Sequence, residues 1–169
     1  GIVSAKARPV VVGAVVDVLT AVSGEDRKHI CCVNTRIGQH LQNSGVIDHF
    51  PQIIALQSQN CDPLLRAAEH GKTEPEAVMP APTIAEGIAI GKPMRGREIM
   101  AMIKRHNIKV VTAPEDKILA CRARIARRGI FCEHTTAANL AAYEHYCELY
   151  GPTPDVLMPM CGAGIKSEH

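Results

Sequence analysis

Residues that could contact a ligand follow an apolar run near the C-terminus. The apolar residues 156–160 lead into Cys161, Gly162, Ala163 and Gly164. In an open parallel sheet, ligands bind at the carboxyl ends of the strands. Glycines at positions 162 and 164 would let the backbone and a ligand approach closely, and the thiol of Cys161 would then face the crevice. An ordinary strand-to-turn connection is the alternative interpretation of these residues.

The same turn does not match the motifs that bind nucleotides. A P-loop needs a glycine directly before its lysine, but Ile165 separates Gly164 from Lys166. A dinucleotide-binding fingerprint needs a third glycine, and Ser167 takes that place. Spacing therefore argues against both nucleotide-binding motifs.

Two further segments combine small residues with groups that could contact a polar ligand. Residues 129–140 lead from a short extended stretch into a helix whose first turn offers the hydroxyls of Thr135 and Thr136. Free N–H groups at such a helix start can receive an anion, although a normal helix cap is the simpler interpretation. Residues 83–91 are predicted to form a small-residue helix containing Glu86. Its carboxylate is either solvated at a rim or turned toward a polar site.

Four short apolar runs predict the strands that would position these segments. Their hydrophobicity is continuous and does not alternate, which is typical of strands covered on both faces. The runs are residues 9–16, 52–57, 109–112 and 155–160. Helices are predicted at residues 36–43, 62–70, 96–106, 114–128 and from Thr135 or Thr136 to 150. This alternation predicts one α/β domain over residues 1–169, with a mostly parallel sheet between two helical layers.

Composition narrows the classes of function. The formal net charge of +2 gives no field that would attract nucleic acid, and no segment reaches the length of an apolar membrane span. Seven cysteines without a CxxC pair indicate reduced, mostly buried thiols in a cytoplasmic protein. No pairs of ligands have zinc-site spacing, so no metal is expected. The arginines between residues 122 and 128 are interpreted as a solvated helix face, with an anion site as the alternative.

Taken together and in this order, the three segments resemble motifs of threonine synthases, threonine deaminases and related fold-type II enzymes that use pyridoxal 5'-phosphate (PLP). Residues 83–91, residues 129–140 and the strand that ends in Gly-x-Gly each have a counterpart, and residues 43–64 also resemble threonine synthase. The resemblance runs from residue 36 to the end, whereas residues 1–35 fit the family poorly. It implies the three-layer αβα large-domain half of a tryptophan synthase β-like enzyme.

The resemblance also implies a cofactor role for six residues. Cys161 matches the position whose hydroxyl or thiol hydrogen-bonds the pyridine nitrogen of PLP. A neutral partner there does not hold the ring protonated, which suits β- or γ-elimination and replacement better than transamination. Gly162 and Gly164 would pass close to the cofactor ring. Glu133 and Thr135 would line the cofactor pocket, and Glu86 would lie near its edge.

The sequence departs from the family pattern in ways that bear on activity. His134 stands where the family usually has proline, and Cys161 where this branch more often has threonine. The glycine-rich phosphate loop should fall near residues 12–24, where only Gly13 and Gly24 occur. No segment matches the Ser-Phe-Lys-Asp-like context of the Schiff-base lysine, and Lys166 is a different lysine of the family.

The resemblance implies a PLP-dependent elimination or replacement on an amino acid in the complete enzyme, with conversion of O-phosphohomoserine to threonine as the leading candidate. The partners would be an amino-acid substrate and an N-terminal half or second subunit that supplies the lysine. A second copy of the chain is also expected, because these enzymes are often dimers. The alternatives are a catalytically inert fragment or partner-binding subunit of this fold, and an α/β ligand-binding module without PLP.

Overall fold

The computed structural model describes residues 10–14, 39–48, 50–153, 155–160 and 162–167. Within them, four strands form one sheet in the order β3-β2-β1-β4. The strands are β1 (Val10–Ala14), β2 (Gln52–Ser58), β3 (Lys109–Ala113) and β4 (Val156–Leu157). All three pairings are parallel, so the carboxyl ends of the strands lie along one edge of the sheet.

Four helices follow the strands in the described part of the chain. They are α1 (Pro63–Glu69), α2 (Gly96–His106), α3 (Glu115–Ala126) and α4 (His134–Tyr150). Residues 39–43 are also helical, and short 3₁₀ turns cover Glu86–Ile88 and Gly164–Ser167. No helix among the described residues is long and apolar enough to span a membrane.

Alternate side chains of β2 point to opposite faces of the sheet, which explains the continuous hydrophobicity of this strand. Ile53 and Ala55 pack against a cluster with residues of α1 and α2, while Ile54 and Leu56 pack against a cluster from α3 and α4. The prediction of a parallel sheet between two helical layers is therefore confirmed.

The predicted elements agree with the structure where hydrophobic periodicity was strong. Helix α2 has the predicted bounds, and β2 and β3 each extend one residue beyond the predicted run. The predicted first strand is described only over Val10–Ala14, and its remaining residues lie outside the described part.

Three predictions about local structure were wrong. Strand β4 is only two residues long, because Pro159 has no N–H with which to extend the ladder. Within residues 83–91 only Glu86–Ile88 form a 3₁₀ turn, since Gly87 and Gly91 disfavour a longer helix. Helix α4 begins at His134 after an N-cap Glu133 that makes no side-chain cap, so neither Thr135 nor Thr136 caps it.

Helix α3 presents a narrow apolar stripe to the core. Its buried residues are Ile118, Cys121 and Ile125, whereas Leu119 is 56% exposed. The thiol of Cys121 lies 3.6 Å from Oε2 of Glu144 on α4. Burial, followed by the neighbouring Glu144 carboxylate, raises the pKa of Cys121 from its ordinary 9.0 to about 11.

This raised pKa predicts a loss of stability at alkaline pH. Because the folded chain holds the thiol proton more tightly than the unfolded chain does, its contribution is complete below pH 9 and is lost as the pH approaches 11. The loss should be roughly 2–3 kcal/mol. Urea denaturation of wild type and Cys121→Ala across this range should show a difference in unfolding free energy that shrinks as pH rises. A constant difference would contradict the prediction.

Candidate functional site

The glycine-rich turn after β4 is attached to the segment that precedes α4. The amide of Glu133 donates to the carbonyl of Gly162 at 3.1 Å, and the amide of Gly164 donates to the carbonyl of Phe131 at 2.9 Å. These bonds form an antiparallel bridge between Cys132 and Ala163. The third and second sequence motifs are therefore joined through their backbones.

Neighbouring side chains lie very close to both glycines of the turn. A Cβ atom on Gly162 would lie 2.0 Å from Cδ of Glu133, and one on Gly164 would lie 2.6 Å from Cδ1 of Phe131. Neither glycine has a positive φ, so the constraint is close approach of neighbouring side chains. The side chain of Glu133 lies directly against the backbone of the turn.

The first turn of α4 connects all three motifs. The hydroxyl of Thr136 accepts a hydrogen bond from the amide of Gly162 at 3.1 Å. Thr135 faces the first motif, since a Cβ on Gly87 would lie 2.8 Å from its Oγ1. Segments far apart in sequence thus meet at the start of one helix, beside the residues that follow β4.

The structure brings together most of the site residues expected from the sequence. Gly162, Gly164, Glu133 and Thr135 lie within one cluster. Glu86 belongs to the 3₁₀ turn beside Gly87 and is exposed. Of the two alternatives for its carboxylate, exposure agrees with the solvated one. Cys161 lies outside the described residues. A cofactor role for all six stays a prediction.

Sequence reasoning did not predict the role of Arg122. Its Nε donates to the carbonyl of Cys132 at 2.8 Å, its Nη1 lies 3.3 Å from Nε2 of His134, and its guanidinium lies 4.8 Å from the ring of Phe131. Among the described residues its buried Nη2 has no partner. The solvated-face interpretation is therefore wrong for Arg122, and no periodicity in the sequence could have revealed these contacts.

A carboxylate at the carboxyl end of β3 holds the first motif in place. Glu115 accepts hydrogen bonds from the hydroxyl of Thr83 at 2.7 Å and the amide of Ile84 at 2.6 Å. The side-chain amide of Asn60, just after β2, donates to the carbonyl of Pro82. The segment leading to Glu86 is thus fastened to the ends of two neighbouring strands.

Replacing Glu115 with alanine should release this segment without unfolding the chain. Two charge-assisted bonds would be lost, at a local cost of about 1–3 kcal/mol. Deuterium uptake of residues 83–88 should rise several-fold, while uptake of β2 stays unchanged. The matched control is Glu148→Ala, which removes an exposed carboxylate paired with Lys117. Equal uptake at residues 83–88 in both variants would contradict the role of Glu115.

A cleft also lies elsewhere in the described part of the chain. It has a volume of about 530 Å³ and lies between α1 and residues 72–79, with Arg66, His70 and Lys72 among its lining residues. Helix α1 covers the opposite face of the sheet from α4. This cleft is therefore separate from the cluster that the three motifs form.

Comparison with known proteins decides the family. Residues 36–162 match the sequence profile of the pyridoxal-phosphate dependent enzymes. The chain belongs to this family. It is 26% identical over 98 residues to threonine synthase from Methanosarcina acetivorans, an alignment that covers 57% of the chain and 24% of that protein. The family resemblance inferred from the motifs is thus confirmed.

Solved structures of the family share the fold. Threonine deaminase isoform 2 from Solanum lycopersicum superposes with a TM-score of 0.68 at 16% identity, covering 94% of this chain and 39% of that one. The T.th. threonine deaminase gives 0.63 at 16% identity, covering 92% and 50%. Serine racemase from Dictyostelium discoideum gives 0.63 at 15% identity, covering 94% and 44%. The chain has the fold of fold-type II enzymes and spans half or less of these relatives.

The turn after β4 is bordered by groups that could contact the cofactor of this family. Positions 162 and 164 carry no Cβ, and added Cβ atoms would overlap their neighbours. These neighbours are the side chains of Glu133 and Phe131, which lie against the backbone of the turn. The hydroxyl of Thr135 and the carboxylate of Glu133 border it. Strand β1 lies directly beside β4, but residues 12–24 lack the glycines of the family's phosphate loop.

Proposed function

We propose that the chain supplies the ring-nitrogen side of a PLP site in an enzyme that performs elimination or replacement on an amino acid. The convergence of three motifs at the start of α4, beside the turn after β4, carries this proposal. Conversion of O-phosphohomoserine to threonine is the leading candidate, supported by the similarity to threonine synthase. The similarity to threonine deaminases makes dehydration of threonine the nearest alternative within the same chemistry.

Each proposed site residue has a task that its chemistry allows. Bound PLP supplies an electron sink for the substrate amino acid. The thiol of Cys161 would hydrogen-bond the ring nitrogen as a neutral partner, and the ring would pass close to Gly162 and Gly164. Glu133 and Thr135 would line the pocket through a carboxylate and a hydroxyl, and exposed Glu86 would border its entrance.

The lysine that binds PLP covalently would come from outside this sequence. The lysines of the chain do not occur in the family's motif, and covalent catalysis with PLP requires that amine. We therefore propose that an N-terminal half or a second subunit supplies it. The lack of a glycine-rich loop near residues 12–24 favours a second candidate, a catalytically inert relative that binds a partner.

Titration with PLP followed by borohydride reduction tests this proposal. The chain should bind PLP saturably, and mass spectrometry after reduction should find no single lysine carrying the cofactor. Cys161→Ala should weaken PLP binding, whereas Cys147→Ala, at a half-buried free thiol on α4, should not. One stoichiometric Lys–PLP adduct would refute the missing lysine, and equal binding by both variants would refute the role of Cys161.

A further inference from the structure

Helix α4 holds the segment after β4 at two points. One turn apart on the same helix, Asn139 donates from Nδ2 to the carbonyl of Pro159 at 3.1 Å, and Thr136 accepts from the amide of Gly162 at 3.1 Å. The two bonds fall on either side of the position that the sequence motif assigns to the ring nitrogen. They fix both ends of a short stretch to one rigid element.

The helix that makes these bonds is itself firmly placed. Ala137, Ala138, Ala141 and Ala142 are fully buried in the cluster that α4 shares with the sheet and α3. Small side chains let the helix approach the sheet closely, so its position varies little. A group bonded to such a helix has less freedom than one held by a loop.

Both side chains are polar groups in an apolar setting. Thr136 and Asn139 are each 2% exposed. The Oδ1 atom of Asn139 is buried and has no partner among the described residues. A buried carbonyl without a partner is unfavourable, and leucine has a better helix propensity than asparagine. Stability of the fold alone therefore does not explain an asparagine at this position.

We propose that Thr136 and Asn139 are positioning residues that set the location of the turn against which the cofactor ring lies. This inference rests on the proposed function, because it takes the turn as one wall of the PLP site. The two bonds fix the distance between α4 and the backbone at residues 159 and 162. Neither residue needs to contact PLP, and each acts through the backbone that it holds.

Two near-isosteric substitutions separate positioning from structural support. Thr136→Val removes the acceptor for the amide of Gly162, and Thr136→Ser restores a hydroxyl. Asn139→Leu removes the donor to Pro159 together with the unpartnered carbonyl. The control is Thr112→Val, the same change at a buried threonine of β3. Each chain is titrated with PLP, the absorption maximum of the bound PLP is recorded, and thermal melting and deuterium uptake of residues 158–164 are measured.

A positioning role predicts a split between stability and binding. Asn139→Leu should melt no lower than wild type but bind PLP about tenfold more weakly with a shifted absorption maximum, because binding would have to order the released turn again. Thr136→Val should weaken binding similarly and increase uptake at residues 158–164. Thr136→Ser should recover both properties, and Thr112→Val should leave the affinity and absorption maximum unchanged.

The outcomes also distinguish this inference from the proposed function. If wild type binds PLP and both variants bind it with unchanged affinity and absorption maximum, the positioning role is refuted while the PLP site stands. If wild type does not bind PLP, the proposed function fails and the positioning role fails with it. In that case, increased deuterium uptake of residues 158–164 in Thr136→Val would show only that the bond between Thr136 and Gly162 supports the local structure.

Discussion

Replacing Gly162 with alanine is expected to weaken PLP binding by about tenfold or more while leaving the chain folded. The new Cβ would lie 2.0 Å from Cδ and 2.1 Å from Oε1 of Glu133. Because a glutamate side chain is flexible, it would swing away from the turn, and the fold would survive. Its carboxylate would then no longer line the proposed pocket, and the added methyl group would take the position that this carboxylate holds beside the turn.

Fluorescence titration with PLP, together with thermal melting, measures this effect. The matched control is Gly129→Ala, where a Cβ meets nothing within 4 Å but the φ of +84° strains any side chain. The control should lower the melting temperature and leave the PLP affinity unchanged. If Gly162→Ala binds PLP as tightly as wild type, the turn is not a wall of the site.

Replacing Leu56 with alanine is expected to lower the free energy of unfolding by about 2–5 kcal/mol. Leu56 is fully buried in β2, where it packs in the cluster that joins the sheet to α3 and α4. Truncating the side chain reduces the buried apolar surface and leaves a cavity. The sheet cannot close this cavity, because helices cover both of its faces. This is the largest effect on stability that we expect from a single truncation.

Equilibrium urea denaturation provides the measurement. Leu119→Ala, at a leucine that is 56% exposed on α3, should change the free energy of unfolding by less than about 0.5 kcal/mol. Because both substitutions remove the same atoms, the difference between their free energies of unfolding measures the effect of burying the leucine side chain. A Leu56→Ala variant as stable as Leu119→Ala would show that this face of the sheet is not a packed core.

Local sequence signals were sufficient for the framework of the fold. The paired isoleucines of β2 and the paired valines of β3 predicted covered strands, and Gly129 and Gly151 mark the ends of helical segments at positive φ. Helix α2 was predicted to the residue from the spacing of its apolar residues Ile99, Met100 and Ile103, all of which are buried on one side. Such signals depend on contacts within a few residues along the chain.

Long-range contacts explain what the sequence did not reveal. Thr135 or Thr136 was expected to cap α4, yet the hydroxyl of Thr136 accepts from an amide 26 residues away. Arg122 was assigned to a solvated face, yet it bonds the carbonyl of Cys132 and contacts Phe131. The local sequence pattern does not identify the partners of Thr136 and Arg122, because these contacts depend on how α3, α4 and the turn pack together. Family motifs identified the segments that meet, but not the bonds between them.

A crystal structure of the chain with PLP tests the central claim most directly. We predict PLP at the carboxyl end of β4, with its ring against Gly162 and Gly164 and its ring nitrogen within hydrogen-bonding distance of Sγ of Cys161. A Cys161 sulfur enclosed by packed side chains, with PLP absent or bound in the cleft beside α1, would contradict it.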